Sequence, residues 1–276
     1  MTEFAKAAEA PDLAPPGSAL YYALRFAPRQ HQPALRAVHG FAEEILAVPW
    51  TVSDPGVGQV KLDWWQAEIE RIASGKGRHP LATALGPAIT RHGLPLTPFR
   101  QLIDGARMDL EYGSYPDGNA LASYLHRTGI PLAALELQIG HPYRDDNDSA
   151  AHHAGMGLRL TELLRRLRPA LDRGRCYLPE SDLRAAGLSV EQLPASAGSD
   201  AARQALVAQV DNAASLLHKA SEALDLTDSP GYRCTRIRVR LAAAILQEMR
   251  RADYPMLQAE LSLTPLRRLW LAWRTG

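Results

Sequence analysis

The sequence of 276 residues has few cysteines, no long apolar run and almost no net charge. Its two cysteines, Cys176 and Cys234, lack the short spacings of a metal site, which indicates two buried thiols in a reducing compartment. No stretch of about 18 uninterrupted apolar residues occurs, so the sequence predicts no membrane-spanning helix. A net charge of +1 provides no overall field that would attract nucleic acid. We therefore expect a cytoplasmic protein with at most peripheral membrane contact.

The first 17 residues lack the apolar core of a secretory signal and the arginine-rich, acid-poor composition of a transit peptide. They carry acidic side chains at Glu3, Glu9 and Asp12 and end in Pro15-Pro16-Gly17. We expect a disordered lead-in over residues 1–17 and one domain over residues 18–276.

Helical periodicity dominates the rest of the chain, whereas signals for β-hairpins are scarce. The clearest apolar stripe advances in steps of four and three residues, which keeps one helix face towards a core. Its members are Leu206, Val210, Ala213, Leu217, Ala220 and Leu224. Glycine- and proline-containing breakers divide the chain into about ten helices joined by short loops. The predicted fold class is all-α.

Several segments, in order along nearly the whole chain, match the motifs of one family. They are Ser18–Pro28 with its Ser-x-x-Tyr-Tyr start, the tryptophan-centred Lys61–Glu68, Met108–Leu110, Tyr124–Arg127, the Gly-Arg-x-Tyr-Leu-Pro segment Gly174–Pro179, Ala244–Met249 and Leu266–Ala272. Together they resemble the squalene/phytoene synthase family. The resemblance implies an isoprenoid synthase fold in one domain, with the helices around a central, largely apolar cavity. It also implies an enzyme that joins two prenyl diphosphates head to head.

In that family two pairs of aspartates, each spaced by one helical turn, hold the Mg²⁺ ions that neutralise the leaving diphosphate. By alignment the first pair falls on Leu46 and Trp50 and the second on Arg166 and Ala170. None of these side chains can ligate a metal, and the guanidinium of Arg166 would repel Mg²⁺. Neither segment contains an Asp-x-x-x-Asp pair, so shifting the alignment does not restore one. We expect no magnesium site and no other cofactor.

Other positions of the family site are also changed. Glu43 aligns with an arginine, His126 with a tyrosine, Arg159 with a glutamine and Glu162 with an asparagine. The resemblance thus gives a candidate cavity or diphosphate-binding set made of Tyr22, Glu43, His126, Arg159, Glu162, Arg165 and Arg166. We hypothesise that Glu43 or Glu44 pairs with Arg166 across the cavity, because a buried unpaired arginine is costly.

Three further features each have two interpretations. The arginine run 159–175 either binds a diphosphate or an anionic lipid without metal, or fills solvated and structural positions, which we favour. The acidic residues Asp145, Asp146 and Asp148 predict a solvated loop with N-capping side chains rather than a metal site. The segment Leu263–Arg274 either lies on an anionic membrane or docks onto the fold, and we favour docking.

Two functions remain open. The first is a pseudoenzyme, a synthase scaffold retained as a prenyl-lipid-binding or assembly protein. The chain resembles the degenerate branch that includes the phytoene-synthase-like assembly factor of respiratory complex I, which implies a membrane-enzyme partner. The alternative is a diverged prenyltransferase of the farnesyl or geranylgeranyl diphosphate transferase type, which handles prenyl diphosphates through arginines or a different metal site.

Overall fold

The computed structural model describes residues 14, 16–141, 147–226 and 229–275. In these ranges the chain forms thirteen α-helices and three short 3₁₀ helices, and the only strand-like pairing is an isolated parallel bridge between Tyr115 and Pro179. The α-helices are α1 (Ala19–Phe26), α2 (Gln32–Thr51), α3 (Pro55–Ala73), α4 (Ala82–His92), α5 (Thr97–Glu111), α6 (Gly118–Thr128), α7 (Ile130–Gly140), α8 (Asn147–Arg165), α9 (Leu167–Leu171), α10 (Glu180–Ala185), α11 (Asp200–Asp225), α12 (Arg233–Arg251) and α13 (Pro265–Thr275). The predicted all-α fold is confirmed, with short helices such as α9 and α10 added to those expected.

Two predictions fall largely outside the described ranges. Of the expected lead-in over residues 1–17, only residues 14, 16 and 17 are described, and Ala14 is buried against the core. Asp145 and Asp146 of the expected acidic loop also lie outside these ranges, while Asp148 is exposed in the first turn of α8.

Polar N-caps fix where several helices begin. The hydroxyl of Ser18 accepts from the amide of Tyr21 at 3.0 Å, and the carboxylate of Asp54 accepts from Gly56 at 2.7 Å. Asp117 caps α6 in the same way through the amide of Ala120. Each cap satisfies a backbone donor that has no partner inside its helix, which stabilises that end by about 1 kcal/mol.

The long helices α8 and α11 pack side by side, and α7 and α12 flank α8. The apolar stripe predicted on α11 is confirmed, because all six of its members are buried. At the start of α7 the backbone lies so close to α8 that a Cβ on Gly129 would collide with the carbonyl of Gly155. Helix α2 packs against α4, α5 and α7.

The last helix, α13, docks onto α1 and α12, as the favoured interpretation of this segment predicts. Ala272 is buried in that contact, while Leu266, Trp270 and Trp273 remain 79%, 50% and 65% exposed. None of the helices within the described ranges is both long and apolar enough to cross a membrane.

Candidate functional site

A proline lies beside each pair of positions that align with the metal-binding aspartates. Pro49 lies inside α2 immediately before Trp50, and Pro169 lies in α9 immediately before Ala170. A proline cannot donate to the carbonyl four residues earlier, and its ring crowds that carbonyl. In the second case this carbonyl belongs to Arg165, where α8 ends, so Arg166 sits in the break between α8 and α9.

The side chains of Trp50 and Arg166 stack on each other, so the two segments face each other as the alignment requires. The Cζ atom of Arg166 lies 5.4 Å from the centroid of the Trp50 ring. Arg173 and Arg175 approach the same ring at 5.8 and 6.0 Å. We call these four residues the Trp50 cluster. Attraction between a guanidinium and an aromatic ring stabilises such a stack by about 0.5–1 kcal/mol at exposed sites.

The predicted pairing of Glu43 or Glu44 with Arg166 is wrong. No ion pair within 4.0 Å joins them; the only carboxylate that reaches Arg166 in the described chain is that of Glu162, at 4.0 Å. The premise also fails, because the side chain of Arg166 is 48% exposed and needs no buried partner. Desolvation and repulsion from Glu44 raise the pKa of Glu43, and Arg166 opposes this rise only in part.

Behind Trp50 lies a column of tyrosines. The ring of Tyr177 stacks on Trp50 at 6.2 Å between centroids and on Tyr124 at 5.7 Å, with interplanar angles of 25° and 21°. Tyr115 stacks on Tyr177 at 6.1 Å. All three tyrosines are buried. This column fills the interior next to the Trp50 cluster with rigid aromatic surface.

The column surrounds a buried carboxylate, Asp109 of α5. The hydroxyl of Tyr177 lies 2.8 Å from both carboxylate oxygens, and the guanidinium of Arg175 lies 3.4 Å from Oδ1. Burial raises the pKa of Asp109, and attraction to Arg175 and Arg159 offsets only part of that rise. Arg175 also donates to the backbone carbonyl of Pro49 at 3.1 Å. Arg175 therefore links Asp109 of α5 to the end of α2, which is a structural role.

Most of the arginine run serves structural contacts, which supports the interpretation favoured from the sequence. Arg159 donates to the hydroxyl of Tyr124 at 2.6 Å, and burial raises the pKa of that tyrosine to about 12. Arg165 binds Glu162 at 2.8 Å and also contacts Glu260. Arg168 is held by Asp172 at 3.0 Å.

Arg159, Arg166 and Arg173 are the members of the run whose guanidinium groups have no carboxylate closer than 4.0 Å in the described ranges, and Arg159 donates instead to the hydroxyl of Tyr124. The other two, Arg166 and Arg173, belong to the Trp50 cluster. Their guanidinium groups are not committed to a carboxylate, so their N–H donors are available to an anionic ligand.

Two residues of the predicted set lie apart from the Trp50 cluster. Tyr22 is buried in α1 with its ring edge-on to Tyr21 at 5.3 Å. His126 is exposed on α6, where it lines a cavity of about 570 Å³ together with Asp104, His152 and others. No hydrogen bond or ring contact within the described part of the chain joins Tyr22 or His126 to Trp50.

The four positions aligned with the aspartates do not fit Mg²⁺, which prefers oxygen ligands. They present an indole, a guanidinium and two alkyl groups, and Ala170 is fully buried in the core. Among the described residues no group of three or more His, Cys, Asp or Glu side chains is placed to hold a metal ion.

Sequence reasoning missed the prolines of this site. Pro49 and Pro169 occupy the same place, the fourth position, in the two aligned five-residue segments Leu46–Trp50 and Arg166–Ala170. A proline at matching places in the two segments was a readable signal that each lacks a backbone hydrogen bond at that point. The bond between Tyr177 and Asp109 carries no comparable signal, because 68 residues separate the two.

Comparisons with known proteins agree with this architecture. The squalene/phytoene synthase family model matches residues 13–268. The phytoene synthase of Mycobacterium bovis is 31% identical over 163 residues, covering 59% of this chain and 53% of that protein. Phytoene synthase 2 of Solanum lycopersicum is 28% identical over 70% of this chain and 64% of that protein. The chain thus matches between about half and two thirds of the length of these relatives.

Solved structures show the same fold. The squalene synthase HpnC of Alicyclobacillus acidocaldarius superposes with a TM-score of 0.76 at 24% identity, covering 84% of this chain and 88% of that one. A dehydrosqualene synthase in complex with a ligand superposes with a TM-score of 0.79 at 17% identity, covering 93% and 90%. The family model spans nearly the whole chain, and the chain belongs to the squalene/phytoene synthase family.

Proposed function

We propose that this protein is a non-catalytic member of its family, a pseudoenzyme that uses the synthase scaffold for binding or assembly. The observation that carries the proposal is the stack of Arg166 on Trp50, 5.4 Å apart, at two of the four positions aligned with metal-binding aspartates. Loss of a diphosphate requires that its charge be neutralised as it leaves, which is the task of Mg²⁺ in such reactions. A stack of indole and guanidinium supplies no ligand for that ion.

A prenyl lipid is the ligand class suggested by membership of the squalene/phytoene synthase family. In this chain the tyrosine column and Asp109 fill the interior beside Trp50. An assembly-factor role with a membrane-enzyme partner rests on the resemblance to the degenerate branch of the family and stays part of the proposal.

A diverged prenyltransferase is the second candidate, favoured by the half-exposed Arg166 and by Arg173 beside it. Arginine forks match phosphate oxygens and bind them without a metal. In this alternative the Trp50 cluster would anchor a prenyl diphosphate.

Calorimetric titration of a non-hydrolysable farnesyl diphosphate analogue, with and without Mg²⁺, separates the candidates. We expect no binding that depends on Mg²⁺. Binding that requires Mg²⁺ would contradict the proposal, since it needs a metal site formed by other residues. Metal-independent binding that is lost in an Arg166→Gln, Arg173→Gln variant would favour the second candidate. The matched control is Arg78→Gln, Arg240→Gln, which removes the same charge from two exposed positions.

A further inference from the structure

One stretch of the chain is basic and has no acidic residue at all. Between Ala14 and Ala42 the sequence holds no Asp or Glu, but it contains Arg25, Arg29 and Arg36. Neither α1 nor α2 has an acidic residue in its first turn. Since the whole chain is nearly neutral, with 31 basic and 30 acidic residues, this stretch is a local excess of positive charge.

The fold brings the three arginines into one groove. Tyr21 and Arg25 are one turn apart on α1, Gln32 and Arg36 are one turn apart on α2, and such pairs share a helix face. Arg29 lies in the turn between the two helices, which Gln32 holds by donating to the carbonyl of Ala27 at 2.9 Å. The groove has a volume of about 470 Å³ and is lined by Tyr21, Arg25, Phe26, Arg29, Gln32 and Arg36. We call it the α1–α2 groove.

None of these three arginines makes an ion pair or a side-chain hydrogen bond within the described part of the chain. Some arginines elsewhere do form ion pairs, such as Arg100 with Glu70 at 2.5 Å and Arg107 with Asp63 at 2.6 Å, but they are not gathered around one groove. Three guanidinium groups around one concave surface repel one another, and an anion placed among them would remove that repulsion.

Arg91 adds a further positive charge near the turn. The ring of His31 packs edge-on against His92 of α4 at 6.0 Å, and Arg91 adjoins His92. Burial, together with the charges of His92 and Arg91, lowers the pKa of His31. The Nδ1 atom of His31 is buried and has no hydrogen-bond partner among the described residues.

We propose that the α1–α2 groove binds a phosphate- or diphosphate-bearing ligand, separately from the Trp50 cluster. Arg25, Arg29 and Arg36 donate to the phosphate oxygens, because guanidinium groups match that geometry. The group attached to the phosphate lies along Phe26 and Tyr21. The volume of the groove is within the usual range for a small-molecule site, about 300–1,000 Å³. Two sources share this chemistry, a soluble diphosphate and the headgroup of an anionic phospholipid.

The test measures binding of the full chain to two probes, inorganic pyrophosphate by calorimetry and lipid vesicles by co-sedimentation. The vesicles contain phosphatidylcholine alone or with phosphatidylglycerol. The groove variant is Arg25→Gln, Arg29→Gln, Arg36→Gln. The matched control, Arg78→Gln, Arg127→Gln, Arg240→Gln, removes the same charge from exposed positions elsewhere. A third variant, Arg166→Gln, Arg173→Gln, tests the Trp50 cluster.

We expect the groove variant to lose at least tenfold in affinity for the probe that binds, while the other two variants keep it. Binding of pyrophosphate would identify a soluble diphosphate as the ligand, and binding only to phosphatidylglycerol vesicles would identify a headgroup. The inference is overturned if the parent protein binds neither probe, or if the groove variant binds as the parent does. Equal loss in the charge-matched control would also overturn it, since net charge alone would then explain binding.

Discussion

Two buried carboxylates of this protein, Asp109 and Glu136, have pKa values shifted in opposite directions. Asp109 lies beside the Trp50 cluster, and burial raises its pKa despite Tyr177 and Arg175. Glu136 lies in α7, where its carboxylate contacts Arg238, His39 at 2.6 Å and Thr235 at 2.8 Å. Burial raises the pKa of Glu136 too, but attraction to Arg238 and His39 outweighs it and lowers the pKa to about 2.

The difference lies in how closely the positive charge approaches. Arg238 contacts the Glu136 carboxylate directly, whereas the guanidinium of Arg175 is 3.4 Å from Asp109 and divides its donors between two backbone carbonyls as well. Desolvation of a charge is costly, so a partner offsets it only with close and well-directed contacts. The Glu136 network thus joins α2, α7 and α12 as an ion pair, while Asp109 holds its proton more tightly than an ordinary aspartate.

The largest expected effect comes from neutralising Glu136. Glu136→Gln leaves Arg238 and His39 without their carboxylate, and breaking a buried pair costs about 3–5 kcal/mol. We expect a loss of that size in the free energy of unfolding, measured in urea at neutral pH. Glu70→Gln, which breaks the exposed pair with Arg100, is the control and should cost under about 1 kcal/mol. Equal losses in the two variants would refute the distinction.

The contributions of the two carboxylates to stability should change with pH in opposite directions. Because the folded-state pKa of Glu136 is below its ordinary value of 4.5, its contribution is complete above 4.5 and is lost as the pH falls towards about 2. At about 1.4 kcal/mol per pKa unit, this loss amounts to about 3 kcal/mol. The stability difference between wild type and Glu136→Gln should therefore narrow on acidification in urea titrations, and a constant difference would contradict the assignment.

Asp109 should have the opposite slope. Its folded-state pKa is above the ordinary value of 3.8, so the stability that protonation provides is present below 3.8 and is lost as the pH rises through the raised pKa. In the same titrations Asp109→Asn should not show this loss. If the free energies of unfolding of wild type and Asp109→Asn depend on pH in the same way through the acidic range, then the pKa of Asp109 is not raised.

A smaller effect is expected for the hydrogen bond between Tyr177 and Asp109. Tyr177→Phe keeps the stacked ring but removes a donor to a buried carboxylate, and bonds to charged groups contribute about 1.5–3 kcal/mol. We expect a loss of about that size in the free energy of unfolding. Tyr112→Phe, at an exposed tyrosine, is the control and should have little effect. A neutral result for Tyr177→Phe would mean that Asp109 does not depend on this donor.

The smallest effect is expected at the stack of the Trp50 cluster. Arg166→Gln removes the cation over the Trp50 ring, which should cost about 0.5–1 kcal/mol in urea unfolding because the arginine is half exposed. Arg166→Lys, which keeps the charge, should lose less. A loss as large as that of Glu136→Gln would mean that Arg166 is a buried structural residue.

The sequence predicts the helical frame well, because helix faces follow from local spacing. The stripe from Leu206 to Leu224 is buried at every predicted member. The family alignment also places Trp50 and Arg166 at the two metal-binding segments, and in the structure the guanidinium of Arg166 lies 5.4 Å from the centroid of the Trp50 ring.

The partners of polar side chains were harder to predict. Glu43 and Glu44 were expected to hold Arg166, but the guanidinium packs on an aromatic ring two turns further along α2. Side-chain direction in that region depends on contacts from α9 and the segment after it, which local periodicity does not contain. The α1–α2 groove was missed for a related reason, because it exists only once two helices and their connecting turn are placed together.

The measurement that tests the central claim most directly is pyrophosphate release from farnesyl diphosphate in the presence of Mg²⁺. An enzyme with established Mg²⁺-dependent activity on farnesyl diphosphate serves as the positive control. We expect the positive control to release pyrophosphate and this protein to release none above the enzyme-free background. Release that depends on both Mg²⁺ and this protein would contradict the account, because the residues aligned with the metal ligands offer no carboxylate.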